Sequence, residues 1–126
     1  MGYLLIAIGG ASGAITRYSI HRLTIYFGIE NIVGTFMVNI SGSFVLGILI
    51  SVSAYKLNFS NAVRDAITIG FIGSYTTFST LAVTSLSLWQ SGQYVKASLN
   101  VILSIIFGLI AAYAGFQIGK PGIVIQ

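Results

Sequence analysis

Two glycines and five small hydroxyl residues crowd into Gly70–Thr80, GFIGSYTTFST, in the middle of an otherwise apolar run. A backbone group left unpaired in hydrocarbon costs several kcal/mol, so irregular backbone at membrane depth must be buried in protein or line a polar cavity. A helix interrupted here would end one half in carbonyls and begin the other in amides. The carbonyl end suits a cation and the amide end suits an anion. The alternative is an unbroken helix whose hydroxyls bond back to the preceding turn. The expectation carried forward is a break in this helix.

Other polar side chains recur inside apolar stretches. Asn39 and Ser43 are four apart and share a helix face. Asn39 could glue two helices together or aim a donor amide at an anion. Asn100, Ser104 and Gly108 repeat every four residues, giving either a packing seam or a line of donors along a pore. Gly9, Gly10, Gly13 and Ala14 form a small-residue face suited to close helix packing. Arg17 follows one turn later. It could snorkel to the headgroups, lend positive potential to a vestibule, or bond helix-end carbonyls. His21 and Arg22 read as interfacial, and a single histidine makes no metal site.

These residues need elements to hold them. The chain is 56% hydrophobic and 6% charged, which excludes both a soluble domain and a disordered one. A span takes about 20 apolar residues, and the chain of 126 residues offers windows at 3–28, 32–55, 62–90 and 94–119. The breaks at Glu30-Asn31, Lys56–Asn61 and Ser91–Gln93 are short, so consecutive helices run antiparallel. The expected architecture is one all-α membrane domain over 1–126, with four transmembrane helices and the third broken near mid-membrane. Met1-Gly2-Tyr3 enters the first helix without a charged leader, so this helix reads as retained rather than as a signal peptide.

Lys and Arg fail to orient the bundle. Lys56, Arg64 and Lys120 fall on one side, and Arg17, Arg22 and Lys96 on the other. Either so few charges balance by chance, or the chain inserts both ways and pairs antiparallel. Four short helices enclose little space, so an aqueous path would need an oligomer. No carboxylate lies in the apolar part of a span, there is no cysteine, and the six basic residues are scattered. Proton-coupled carriage, thiol chemistry, hydrolytic triads and nucleic-acid binding therefore have no foothold.

GGASGAITRY at Gly9–Tyr18, GTFMVNISGSFVLG at Gly34–Gly47 and GFIGSYTTFST at Gly70–Thr80 together resemble the Fluc (CrcB) family of fluoride channels. The resemblance runs through all four spans in order. It implies passive, fluoride-selective export across the inner (plasma) membrane that lowers cytoplasmic fluoride. The channel would be an antiparallel dual-topology dimer with two pores and a central sodium ion. By motif position, the backbone carbonyls of Gly73 and Thr76 would hold the sodium and Arg17 would serve the vestibule. The pore would draw on Asn39, Phe78, Ser79, Thr80, Asn100 and Ser104. Phe78 would turn its positive ring edge toward the anion.

Two positions depart from the family pattern. Leu81 stands where a second pore phenylalanine would be, and Thr84 stands where a glutamate would be. Leucine has no edge dipole to offer an anion, so the pore containing Leu81 would be slow or silent unless a partner chain compensates. Some members of the family are pairs of different chains, which makes a heterodimer with one working pore the alternative to a homodimer. Further rivals are a small dual-topology carrier, which would want a carboxylate in the first helix, and a non-transporting membrane adaptor.

Overall fold

The computed structural model of the chain describes residues 1–55 and 59–120. Lys56, counted above for orientation, and residues 121–126 lie outside the described residues. The elements are all helical: α1 (Gly2–Tyr26), α2 (Asn31–Tyr55), α3 (Asn61–Asp65), a π-helical segment (Ala66–Ile72), α4 (Gly73–Tyr75), α5 (Phe78–Gln90) and α6 (Tyr94–Gly119). Segments α3, π and α4 follow one another without a gap and form the first half of the third long helix; α5 is its second half. Asn31–Ala54, Asn61–Gln90 and Tyr94–Gly119 are each long and apolar enough to cross a membrane. α1 is of similar length, but Arg17, His21 and Arg22 dilute its apolar character.

Local chemistry sets the ends. α1 stops where Gly28 takes φ +68 and α5 stops before Gly92 at φ +79, a backbone region that glycine enters without steric cost. The N–H of Ile29 reaches back to the Thr24 carbonyl at 2.8 Å, and that of Gln93 to the Leu88 carbonyl at 2.9 Å. Each bond closes a helix C-terminus and reverses the chain within a few residues. Ser60 opens α3 by accepting from the Val63 N–H. Glu30 in the first turn pairs with Lys96 near the start of α6, tying the two ends of the bundle's connections together.

Small residues set the packing. α2 packs most extensively on α6, where Gly47 lies against the Ala112 carbonyl and Gly115 against the Phe44 carbonyl. The small face of α1 packs on the π segment, with Gly9 at the Ala66 carbonyl and Gly13 at the Phe71 carbonyl. That face is therefore a packing face, the first of its expected uses. Large apolar side chains such as Leu4, Ile15, Val83, Leu109 and Ile118 point outward and are exposed. Water would not support such a surface, whereas lipid would. Trp89 and Tyr94 meet edge to face at 4.8 Å beside the α5–α6 turn, the amphipathic ring pairing favoured at a membrane boundary.

Candidate functional site

The third helix breaks between Tyr75 and Phe78. Thr76 (φ −81, ψ 160) and Thr77 (φ −152, ψ 110) are extended, so the carbonyl end of α4 and the amide end of α5 face a common gap. Each half-helix carries its dipole to this point: partial negative charge at the α4 end and partial positive charge at the start of α5. The π segment immediately before α4 widens the turn, a deviation often found next to functional positions.

An interrupted helix in a membrane must be supplied with partners, and the side chains of α1 and α2 provide them. Arg17 Nη1 donates to the Thr76 carbonyl at 3.2 Å. The Thr77 N–H donates to Asn39 Oδ1 at 2.7 Å, and Asn39 Nδ2 donates to the Thr77 carbonyl at 3.0 Å. The Thr77 hydroxyl caps α5 by accepting from the Thr80 N–H at 3.2 Å, and it donates to Thr80 Oγ1 at 2.9 Å. On the α4 side the Thr76 hydroxyl donates to the Ile72 carbonyl at 3.0 Å, and the Tyr75 and Ser41 hydroxyls lie 2.8 Å apart. α2 comes this close because residue 42 is glycine: a Cβ there would overlap the Thr76 methyl.

The break has consequences for both ions raised by the sequence. In a continued helix the Thr77 N–H would close onto the Gly73 carbonyl. Here Asn39 takes that N–H, so the Gly73 carbonyl is freed for another partner. On the other side, α5 begins with amides beside an open groove of about 220 Å³ walled by Asn39, Ser43, Thr76, Thr77 and Phe78. Phe78 is 79% exposed in the single chain, and Ser79 beside it is also exposed. Asn39 lines this groove, but both ends of its amide are engaged with Thr77. Only its second N–H remains to be offered to a ligand.

Residues read together from the sequence separate into two groups. Arg17, Asn39, Gly73, Thr76, Phe78, Ser79 and Thr80 gather at the break. Leu81, Asn100 and Ser104 lie apart from the break and all three are buried, Leu81 and Asn100 on the α5–α6 seam. Asn100 Nδ2 donates to Ser85 Oγ at 2.9 Å, and Ser85 donates to the Leu81 carbonyl at 2.8 Å. Ser104 Oγ is buried without a partner in the described chain. Ser85, Thr77 and Gly42 were not singled out as site residues by sequence reasoning. Ser85 lies four residues beyond Leu81, a spacing that could have signalled it. The function of Gly42 appears only once the helices are packed. Thr84 is half-buried on α5.

The profile of the family described as CrcB-like protein, Camphor Resistance (CrcB), matches residues 4–116. A Vibrio campbellii protein named fluoride-specific ion channel FluC is 40% identical over 114 residues, covering 90% of this chain and 90% of its own length. A Campylobacter jejuni subsp. jejuni serotype O:6 protein of the same name is 41% identical over 118 residues, covering 93% of this chain and 96% of its own. A Vibrio vulnificus protein, also so named, is 40% identical over 116 residues, covering 91% and 92%. The profile match runs from the first turn of α1 nearly to the end of α6 and takes in the broken third helix: the chain is a multi-pass membrane protein and belongs to the CrcB family.

Proposed function

We propose that this chain is a fluoride channel, not an enzyme, and that it lets fluoride leave the cell down its electrochemical gradient through the plasma membrane. Relatives at about two-fifths identity carry the name of fluoride-specific channels. The observation that carries the reading is the break at Thr76–Thr77, with the amide end of α5 and exposed Phe78 beside the groove. A small, strongly hydrated anion needs replacements for its water. Amide and hydroxyl donors with aromatic edges supply them in a narrow path. Hydrogen fluoride crosses lipid and fluoride does not, so an acid that enters as the neutral form leaves only through a protein.

The functional unit in this reading is an antiparallel dual-topology dimer with two pores. The extended Thr76–Thr77 backbone beside the groove is the part that a second copy would shield from lipid, and the three-to-three count of basic residues permits either insertion. A central sodium ion fits the residues present. Gly73 offers a carbonyl released from the helix, and Thr76 a carbonyl with one lone pair on Arg17 and one to spare. A hard cation favours such oxygens, and bound there it would hold the two copies together. Among the described residues no cluster of His, Cys, Asp or Glu offers a different metal site.

A heterodimer is the second reading, and Leu81 favours it. At 5% exposure this side chain is packed into the chain's own core, so from this copy it offers nothing to the groove. The test is fluoride efflux from liposomes holding the purified chain alone, with chloride as control anion. Fast, fluoride-selective efflux is expected of a homodimer. A folded, dimer-sized protein with no efflux would reject the homodimeric channel and point to a partner chain. A small carrier of other substrates and an adaptor both predict no fluoride flux.

A further inference from the structure

A separate cavity of about 480 Å³ lies beside the C-terminal half of α1, and Arg17, His21, Arg22, Asn31 and Thr80 are among the residues that line it. The sequence placed His21 and Arg22 at the membrane interface. The structure brings both to the same cavity as Arg17, because the turn at Gly28 returns Asn31 to the side of α1. The cavity adjoins the break through two of its residues: Arg17 reaches the Thr76 carbonyl, and Thr80 bonds the Thr77 hydroxyl.

One edge of the imidazole is engaged by α2. His21 Nδ1 is hydrogen-bonded to Asn31 Oδ1. An amide oxygen only accepts, so Nδ1 carries the hydrogen and donates it. Nε2, on the opposite edge of the ring, is then an acceptor in the neutral ring and a donor in the charged one. The charged groups around it are few. From α1, Arg17, Arg22 and Tyr18 line the same cavity as the ring. α2 presents Asn31 and the backbone of Gly34, and α5 presents Thr80. Glu30, one residue before Asn31, is engaged by Lys96 of α6. The Arg64–Asp65 pair sits at the other end of α1, next to Ala66 and Gly9.

We propose that His21 is a proton-dependent anion donor in the antechamber of the conduction path, acting with Arg17 and Arg22 to collect fluoride more strongly when Nε2 is protonated. This rests on the channel reading above. With the ring neutral, the antechamber holds two guanidinium charges, and Nε2 carries a lone pair rather than a donor. With the ring protonated it holds a third positive charge and an additional N–H donor. Concentrating positive charge in a low-dielectric mouth raises the local anion concentration and the capture rate.

The chain contains one histidine, so its imidazole signals are an unambiguous probe. The experiment is a sodium fluoride titration of the full-length protein in lipid nanodiscs, read by ¹⁵N imidazole resonances at about pH 5.5 and about pH 8, either side of the usual histidine range. Sodium gluconate at matched concentration is the control. The expected result is a fluoride midpoint at least about fivefold lower at the acidic pH, the lower end of ordinary coupling between sites. R22Q is expected to raise the acidic midpoint. Equal midpoints at both pH values would overturn the role of His21. So would signals that ignore fluoride while wild-type liposomes release it, which leaves the channel standing. A pH-dependent titration in a protein that shows no efflux would keep the anion site and reject the channel.

Discussion

Asn39 and Thr77, 38 positions apart in sequence, are joined by both ends of a single carboxamide: Thr77 N–H to Oδ1 at 2.7 Å and Nδ2 to the Thr77 carbonyl at 3.0 Å. A carboxamide has the donor and acceptor layout of a peptide group. Asn39 therefore stands in for the Gly73 carbonyl that the Thr77 N–H gave up at the break, and adds a second donor to a carbonyl that also caps α5. It holds the gap open and keeps the Gly73 carbonyl free.

Removing that amide exposes the cost of the gap. Asn39→Ala leaves the Thr77 N–H unpaired, a loss of about 1–3 kcal/mol for a buried donor, while the Thr77 carbonyl keeps its place at the N-cap of α5. The expected outcome is a clearly lowered melting temperature together with reduced fluoride efflux. Ser43→Ala, on the wall of the same groove, is expected to leave the melting temperature nearly unchanged. An Asn39→Ala protein that melts like the wild type would show that Thr77 finds other partners and that the clamp is unimportant.

The break itself was legible in the sequence because glycine and hydroxyl residues at mid-membrane have few other uses. Its support was less legible. Nothing local to Thr77 says that Asn39 is its partner, since that pairing depends on the register of α2 against the third helix. The placement of His21 and Arg22 depends likewise on the way the Gly28 turn folds α2 beside α1. The polar repeat Asn100 and Ser104 was visible, but repeat spacing gives a face and not what it faces. In the folded chain Asn100 meets Ser85 of α5, whereas Gly108 on the same stripe faces Ser43 of α2.

Gly42 sets that register, and its effect can be tested by compensation. A Cβ at this position would collide with the Thr76 methyl, and overpacking of this kind costs about 1–3 kcal/mol. Gly42→Ala is expected to lower both stability and efflux. Thr76→Ser removes the methyl while keeping the hydroxyl that bonds the Ile72 carbonyl, so it should be mild alone and should restore much of what Gly42→Ala loses. Losses that simply add in the double variant would place the harm of Gly42→Ala elsewhere.

Phe78 and Leu81, one turn apart on α5, are expected to behave oppositely. Phe78 is 79% exposed in the chain and Leu81 is 5% exposed. Phe78→Ala removes little from the subunit's own core, so efflux should fall sharply while the subunit keeps its helical fold. Leu81→Ala opens a cavity in packed protein, with a penalty of about 2–5 kcal/mol, and should appear first as a drop in melting temperature. Circular dichroism melts paired with electrode-detected efflux separate the two. A Phe78→Ala channel with undiminished efflux would remove that ring from the path.

Arg17 and the proposed sodium share the Thr76 carbonyl, and the sharing has a sign. The guanidinium neutralises the α4 carbonyl end from within the chain, but its charge also repels a second cation at the same oxygen. A ligand that binds only the folded state stabilises it by mass action, by about 2.7 kcal/mol at a hundredfold excess over its dissociation constant. Replacing sodium with N-methylglucamine should therefore lower the melting temperature of the wild type. In Arg17→Gln the carbonyl loses its charged donor and the repulsion together, so the folded protein should depend more heavily on sodium. The melting temperature of the variant is expected to fall furthest in N-methylglucamine, with a wider gap between the two salts than in the wild type. An equal gap in both proteins would mean that Arg17 and the cation act at separate places. No gap in either would remove sodium from the break altogether.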